Sequence, residues 1–210
     1  DEIKIAAGDY IENLILPGNF GLKLSGGYSP ADFSVRNTQT YRTNISGANT
    51  SPVISIEYTG GIGDYQYYEI NGFRIQGGER GVYAVNQGNG GTAVLLIYDN
   101  IISGNGGLQG SNDYGGGVHI SGIISKVINN EIKNNSCGKS GGISLQLANP
   151  EYSFLLEGNI IEGNTIYSDH GAGAGIQAYK GIVRNNIFEN NSIPNSWGWG
   201  GGLIIDGNRF

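Results

Sequence analysis

A repeat built on asparagine constrains this chain more than any other feature of its sequence. The pattern Asn-x-(Ile/Phe)-x-x-(Asn/Gln) occurs five times, at steps of 29, 30, 29 and 27 residues. The copies begin at Asn71, Asn100, Asn130, Asn159 and Asn186. A regular period of this length is typical of a solenoid, in which each repeat forms one coil that stacks on the next.

Apolar residues recur at fixed places in each copy. One column lies two positions after the asparagine, and a second, mostly apolar column lies three positions before it. These columns are Phe73, Ile102, Ile132, Ile161 and Phe188, and Tyr68, Ile97, Val127, Leu156 and Val183. Between the copies, glycine-led stretches such as GVHI (117–120) and GISL (142–145) have apolar residues at every second position, which indicates strands.

Helices are not expected in this chain. Glycine supplies 38 of the 210 residues, and no apolar stripe with a helical period appears. A repeat of roughly 25 to 30 residues with two or three short strands cannot bury its own apolar face, so it must stack on its neighbours. The sequence therefore predicts an all-β parallel β-helix of roughly six to eight coils, each pairing with the next about 4.8 Å along the axis.

The asparagine column has a physical role in such a stack. Asparagine tolerates the left-handed backbone conformation that a sharp turn demands. Its amide can also bond the same amide one coil above and below. The five repeat asparagines are therefore expected to form a structural turn ladder rather than a binding site.

The segments that precede this repeat are also distinctive. They are IKIAAGDYIENLIL (3–16), GLKLSGGYSPADFSVRN (21–37) and TNISG (43–47). Together with the Asn and Gly repeats they resemble the right-handed parallel β-helix proteins that bacteria export, which share the pectate-lyase-like scaffold. The resemblance implies a right-handed coil and an extracellular or cell-surface location. It fixes no activity, because this scaffold hosts lyases, hydrolases, epimerases, adhesins and surface proteins.

The chain is expected to form one elongated domain over 1–210, with N-terminal coils in 1–57 and Asn/Gly-repeat coils in 58–210.

Composition limits the partners. A net charge of −6 argues against nucleic acid or an anionic membrane as partner, and no apolar run long enough for membrane insertion is present. The lone Cys137 cannot form an internal disulfide and is expected to be a small, buried or half-buried residue.

The two ends of the sequence show no cap. The first strand is expected at 3–6, and the last residues stop within a coil. Open coils expose unpaired backbone groups and an apolar core. Two explanations remain open: the chain is a fragment of a longer surface protein, or its ends pair head to tail and build a fibre.

Aromatic residues gather where the chain departs from the repeat. Trp197 and Trp199 alternate in SWGWGGG, so an extended strand would present both on one side. With Tyr114 and Tyr167 they are the candidate contact residues for a carbohydrate or a partner, because aromatic faces stack on sugar rings. Packing of these rings over the coil edges is the alternative.

Catalytic chemistry finds little support in the sequence. The acidic residues are scattered, and the one acid/base pair is Asp169 with His170. His119 lies between two inward residues of its strand and is expected to face solvent. No cofactor is expected; calcium is the one ion left open, with Asp113 and Asp169 as candidate ligands. Whether the chain is an enzyme stays undecided, with the balance against it.

The sequence thus favours a non-catalytic extracellular module with a structural or adhesive role, for which end-to-end self-association into fibres is one of the two options left open above. The alternative is a protein that binds or acts on polysaccharide on the same scaffold. An enzyme would need a groove lined with clustered acidic and basic side chains, whereas a structural module would show laddered asparagines and an aromatic or flat face.

Overall fold

In the described part of the chain, three parallel β-sheets of seven strands each wrap around one apolar core. The computed structural model describes residues 1–48, 50–88, 90–106, 114–167, 172–194 and 201–207. Among the residues singled out above, five lie outside this part: Asp113, Asp169, His170, Trp197 and Trp199.

The strands of each sheet come from successive coils. Sheet A contains β1 (Glu2–Ala6), β4 (Lys23–Tyr28), β7 (Tyr65–Asn71), β10 (Thr92–Tyr98), β13 (Ile124–Ile128), β17 (Ser153–Glu157) and β21 (Lys180–Arg184). Sheet B contains β2 (Gly8–Ile11), β5 (Thr43–Ser46), β8 (Phe73–Gln76), β11 (Ile101–Ser103), β14 (Glu131–Lys133), β18 (Ile160–Glu162) and β22 (Ile187–Glu189). Sheet C contains β3 (Leu14–Leu16), β6 (Ile54–Tyr58), β9 (Val82–Asn86), β12 (Val118–Ser121), β16 (Ile143–Leu147), β20 (Ala174–Ala178) and β23 (Leu203–Asp206). A short fourth sheet pairs β15 (Ser136–Cys137) with β19 (Thr165–Ile166).

The predicted fold class, an all-β parallel solenoid, is confirmed. Five turns, from β7 to β23, follow the asparagine repeat, and two turns with longer loops precede them. Within the residues that the structure describes, no helix is long and apolar enough to cross a membrane.

The core consists of columns of identical or similar side chains. Ile97 stacks on Val127 and Val127 on Leu156, all fully buried. Each such side chain contributes about 1.5–3 kcal/mol when it leaves water. Cys137 is buried, as predicted.

The first copy of the repeat is out of register with the others. Ile75, not Phe73, pairs with Ile102, and Phe73 takes the place of the ladder asparagine beside Asn100. The true step from the first copy to the second is therefore 27 residues. A slip of two residues leaves the same side chains facing inward, because strand side chains alternate with a period of two. The apolar pattern alone therefore could not fix this register, and Asn71 was wrongly placed in the ladder.

The remaining four repeat asparagines form a continuous hydrogen-bonded ladder. Asn100 Nδ2 donates to Asn130 Oδ1 at 3.1 Å, and Asn130 Nδ2 donates to Asn159 Oδ1 at 3.0 Å. Asn159 Nδ2 donates in turn to Asn186 Oδ1 at 2.8 Å. Each ladder oxygen also accepts the backbone N–H of the preceding asparagine, as between Asn100 and Asn130 at 3.0 Å. Buried backbone donors at the corner between sheets A and B are satisfied in this way.

A second ladder, which the sequence interpretation missed, runs along the other end of sheet B. It consists of Asn105, Asn135, Asn164 and Asn191, the last residue of each motif copy. The sequence signal for this second ladder is the sixth position of the repeat motif, which is Asn or Gln in every copy. The left-handed residues are not the ladder asparagines but the residues before them, for example Asp99 (φ 54°) and Asn129 (φ 54°).

Candidate functional site

The outer face of sheet C carries a column of chemically varied residues. Register places Tyr83, His119, Ser144 and Gly175 side by side on β9, β12, β16 and β20. Neighbours in this column lie about 4.8 Å apart, since that is the spacing of paired strands. A signal for this column exists in the sequence, because each residue follows two positions after a glycine.

Three of the aromatic rings near this column stack in series. The Tyr83 and His119 rings lie 5.4 Å apart with an interplanar angle of 15°, and the Tyr114 ring lies 6.2 Å from His119. The guanidinium of Arg80 lies 5.1 Å from the centre of the Tyr83 ring, and Lys139 Nζ lies 5.1 Å from that of Tyr114. A cation therefore lies over a ring at each end of the series, a contact worth about 0.5–1 kcal/mol at an exposed site.

Backbone hydrogen bonds hold Tyr114 over the sheet. Tyr114 forms a parallel bridge with Lys139, and the carbonyl of Tyr114 accepts from Arg80 Nε at 3.1 Å. The next residue, Gly115, has a φ of 71°, and a Cβ there would lie 2.4 Å from the Val118 carbonyl oxygen. Glycine is therefore required for the chain to turn back onto β12.

A cleft of about 130 Å³ opens beside this ring series. Its wall is Tyr114, and its floor combines polar residues, namely Ser144, Gln146 and Gln177, with the apolar Ile204, which pairs with Gly175; Asp206 lies at the far end. The Ser140 side chain occupies the space above Gly175, where an added Cβ would lie 2.2 Å from Ser140 Oγ. An aromatic wall next to amide and hydroxyl groups suits a neutral ligand rich in hydroxyls.

His119 lies on the outer face, as the alternation of its strand indicates, but it does not face solvent. Only 7% of the residue is exposed, because the rings of Tyr83 and Tyr114 cover it. The expectation of an exposed histidine was wrong. It failed because strand periodicity identifies a face and carries no information about side chains from the preceding loop or the neighbouring coil that cover that face.

The other predicted contact residues are separated from this cleft or lie outside the described residues. Tyr167 is half-buried after β19, where its N–H donates to the carbonyl of Cys137 at 3.1 Å. Trp197 and Trp199 lie outside the described part, so the prediction of a tryptophan contact surface stays a prediction. Of the two candidate contact residues within the described ranges, Tyr114 lines the cleft and Tyr167 does not.

Carboxylates are dispersed over the described surface, and several are held in ion pairs. Glu157 pairs with Arg184 at 2.9 Å on sheet A, and Glu131 pairs with Lys133 at 2.7 Å on sheet B. No three His, Cys, Asp or Glu side chains of the described ranges come together in a way that could hold a metal ion. The proposed acid/base pair Asp169–His170 and the calcium candidate Asp113 lie outside those ranges.

One buried carboxylate is surrounded by donors. Glu69 is 7% exposed and accepts from Tyr98 Oη at 2.8 Å, Asn71 Nδ2 at 3.1 Å and Tyr67 Oη at 3.2 Å. Lys23 Nζ lies 3.3 Å from Glu69 Oε2, the oxygen that also accepts from Tyr67. Burial, followed by the hydrogen bond and the charge of Glu69, raises the pKa of Tyr98; burial and Glu69 likewise raise the pKa of Tyr67. The carboxylate oxygens of Glu69 are thus engaged in contacts within the scaffold. Asn71 takes part in these contacts and not in the asparagine ladder.

Comparison with known proteins adds no family. No family model matches the chain, and no curated protein or solved structure is detectably similar to it.

Proposed function

We propose that this protein is an extracellular, non-catalytic β-solenoid that adheres to polysaccharide through the cleft on sheet C. The observation that carries the proposal is the Tyr114 ring, held in series with His119 and Tyr83, which lines a cleft together with serine, glutamine and isoleucine residues. The extracellular location is proposed from the sequence patterns alone, since the comparisons found no related protein. Only 14% of the residues in the chain are charged, which is consistent with a ligand recognised through hydroxyl groups.

The chemistry of the cleft favours binding over hydrolysis. Glycoside hydrolysis ordinarily uses two carboxylates on either side of the bond that breaks. Within the described residues, the cleft presents one, Asp206. An enzyme that acts on polysaccharide on the same scaffold is the alternative, and it would need a second group from residues such as Asp169 and His170.

A glycan array with the whole chain tests the proposal, followed by titration of any glycan that binds. Tyr114→Ala is expected to weaken binding about tenfold, because a stacked aromatic contributes about 0.5–1.5 kcal/mol beyond the area that it buries. Tyr65→Ala is the matched control, since Tyr65 is 62% exposed on sheet A, away from the cleft. Binding to no glycan, or equal effects of the two variants, would refute the proposal. Release of new reducing ends from a bound glycan would favour the enzyme.

End-to-end self-association of the chain is a second candidate. An apolar hollow of about 490 Å³ lies at the outer edge of sheets A and C, between β1 and β3. It is lined mainly by Ile3, Ile5, Leu14, Leu16, Leu22 and Leu24. At the opposite edge, Ile205 on β23 is 56% exposed in a column that is otherwise buried. A second copy could cover both surfaces while continuing the strand pairing.

Sedimentation velocity and electron microscopy of the 210-residue chain test this second candidate. Filaments that disappear in an Ile5→Glu variant would support it. A monomer at all concentrations would exclude it without affecting the sheet C proposal.

A further inference from the structure

A long loop covers the corner between sheets A and B. Residues 29–42 connect β4 to β5, whereas Gly72 alone connects β7 to β8 at the same corner of the next coil. Beneath the loop lies a cleft of about 210 Å³. Its lining is mostly polar and includes Thr38, Gln39, Arg42, Arg74, Asp99, Asn129 and Glu131.

The loop is held firmly over this cleft. Arg36 Nε donates to the Gly26 carbonyl at 2.9 Å, and Arg36 Nη2 donates to Asn71 Oδ1. Gly72 has a φ of 78°, and a Cβ there would lie 2.8 Å from the Gly26 oxygen and 3.0 Å from the Thr38 methyl group. The cleft is therefore formed before any ligand arrives, which lowers the entropic cost of binding.

Strand register places two oppositely charged residues at this corner. Thr43 pairs with Phe73, and Phe73 lies beside Asn100, so the preceding residues Arg42, Gly72 and Asp99 share one corner position on three successive coils. Two coil spacings separate Arg42 from Asp99, or about 9.6 Å between their Cα atoms. Gly72 adds no side chain between the two charged residues, and atoms of the loop pack against it instead.

The charges in the cleft are unevenly paired. Glu131 is bound by Lys133 at 2.7 Å. Arg42, Arg74 and Asp99 make no salt bridge to another residue in the described ranges. Two guanidinium groups and one carboxylate are thus left to face the cleft. A guanidinium binds a carboxylate through two parallel hydrogen bonds, and an aspartate binds an ammonium group.

We propose that this corner cleft binds a small zwitterion of the α-amino acid class. Its carboxylate would lie against Arg42 and Arg74, and its ammonium group against Asp99. At about 210 Å³ the cleft is smaller than the roughly 300–1,000 Å³ pockets that hold drug-sized ligands, so a single amino acid suits it. The site is independent of the sheet C cleft and does not rest on polysaccharide binding.

Isothermal titration calorimetry with three related probes tests the assignment. The probes are L-glutamine, glutaramate, which lacks the α-amino group, and L-glutaminamide, which lacks the carboxylate. L-glutamine is expected to bind at least about tenfold more tightly than either analogue, since each loses charge-assisted hydrogen bonds. Equal affinity for glutaramate would refute the role of Asp99, and no heat from any probe at millimolar concentration would refute the site.

Variants test where the ligand binds and control for a general effect of net charge. Arg74→Gln is expected to weaken L-glutamine binding about tenfold or more, whereas Arg184→Gln, which changes the net charge equally on the outer face of sheet A, leaves it unchanged. Asp99→Asn should reduce the affinity for L-glutamine to that for glutaramate, and asparagine tolerates the left-handed backbone at that position. Equal effects of the two arginine variants, or tighter binding of D-glucuronate than of L-glutamine, would overturn the proposal. Tyr114→Ala should not change L-glutamine binding, so failure of one site is distinguishable from failure of the other.

Discussion

Replacement of Asn130 by alanine tests whether the ladder stabilises the solenoid through buried hydrogen bonds. The Asn130 side chain donates to the carbonyls of Ile97 and Ile128, both at 3.0 Å, and to Asn159 Oδ1 at 3.0 Å. Its oxygen accepts the backbone N–H of Asn100 at 3.0 Å. Asn130 is only 1% exposed, so water cannot readily replace these partners.

The magnitude follows from what the substitution leaves behind. A buried N–H without an acceptor, here that of Asn100, costs about 1–3 kcal/mol. Three acceptors each lose one donor, at about 0.5–1.5 kcal/mol per bond. Because such terms overlap, we expect Asn130→Ala to lower the free energy of unfolding by about 4 kcal/mol in total.

Asn186→Ala is the matched control. Asn186 makes the same type of contacts in the same ladder, to Asn159 and to the Leu156 carbonyl, but it is half-buried. Water can enter the gap that alanine leaves, so we expect a loss of about 1–2 kcal/mol. Urea denaturation followed by far-ultraviolet circular dichroism, at unchanged slope, gives both values. Equal losses, or less than about 1 kcal/mol for Asn130→Ala, would refute the argument that burial makes the ladder strong.

Two further predictions concern the loop and the buried tyrosines. Gly72→Ala should destabilise the folded chain by about 2 kcal/mol or more and should expose the peptide bond after Arg42, in the loop, to trypsin. Gly63 also has a positive φ, but a Cβ there meets no atom within 4 Å. Gly63→Ala should therefore cost about 1 kcal/mol and leave trypsin cleavage unchanged. The pKa of Tyr98 is raised above its usual value near 10, so the folded state holds this proton more tightly than the unfolded state does. The associated stability is complete below pH 10 and is lost as the pH rises through the folded pKa. The temperature of half-unfolding should therefore decrease as the pH is raised above 10, and it should decrease less steeply in Tyr98→Phe. Some decrease should remain in that variant, because burial raises the pKa of Tyr68 to about 12. An identical alkaline fall in the variant would contradict the role of Tyr98, and an uncleaved loop in Gly72→Ala would contradict the role of Gly72.

Local patterns were sufficient where each coil repeats the one before it. The columns through Ile102, Ile132 and Ile161 and the ladder from Asn100 onward follow directly from the spacing, because a parallel in-register stack places like residues together. Spacing failed at the first copy, where Asn71 pairs with Tyr98 instead of entering the ladder. Counting apolar residues could not detect that slip, since two residues along a strand return to the same face.

The candidate sites depended on contacts between distant segments. Tyr114 was identified from the sequence as an aromatic residue in an irregular segment, yet its position over His119 is set by hydrogen bonds to a later coil. No local pattern in the sequence distinguishes Arg42, because only the strand register shows that it shares a corner with Asp99.

By itself the sequence determined the class of fold, the stacking of like side chains on one another in successive coils, and the four asparagines of the first ladder. These are properties of a period, and a period is visible in one dimension. The tertiary structure decided the register of the first repeat, the burial of His119 and the two clefts. Each of these depends on how an irregular loop folds across neighbouring coils, and the energies that place such a loop come from residues far away in the chain.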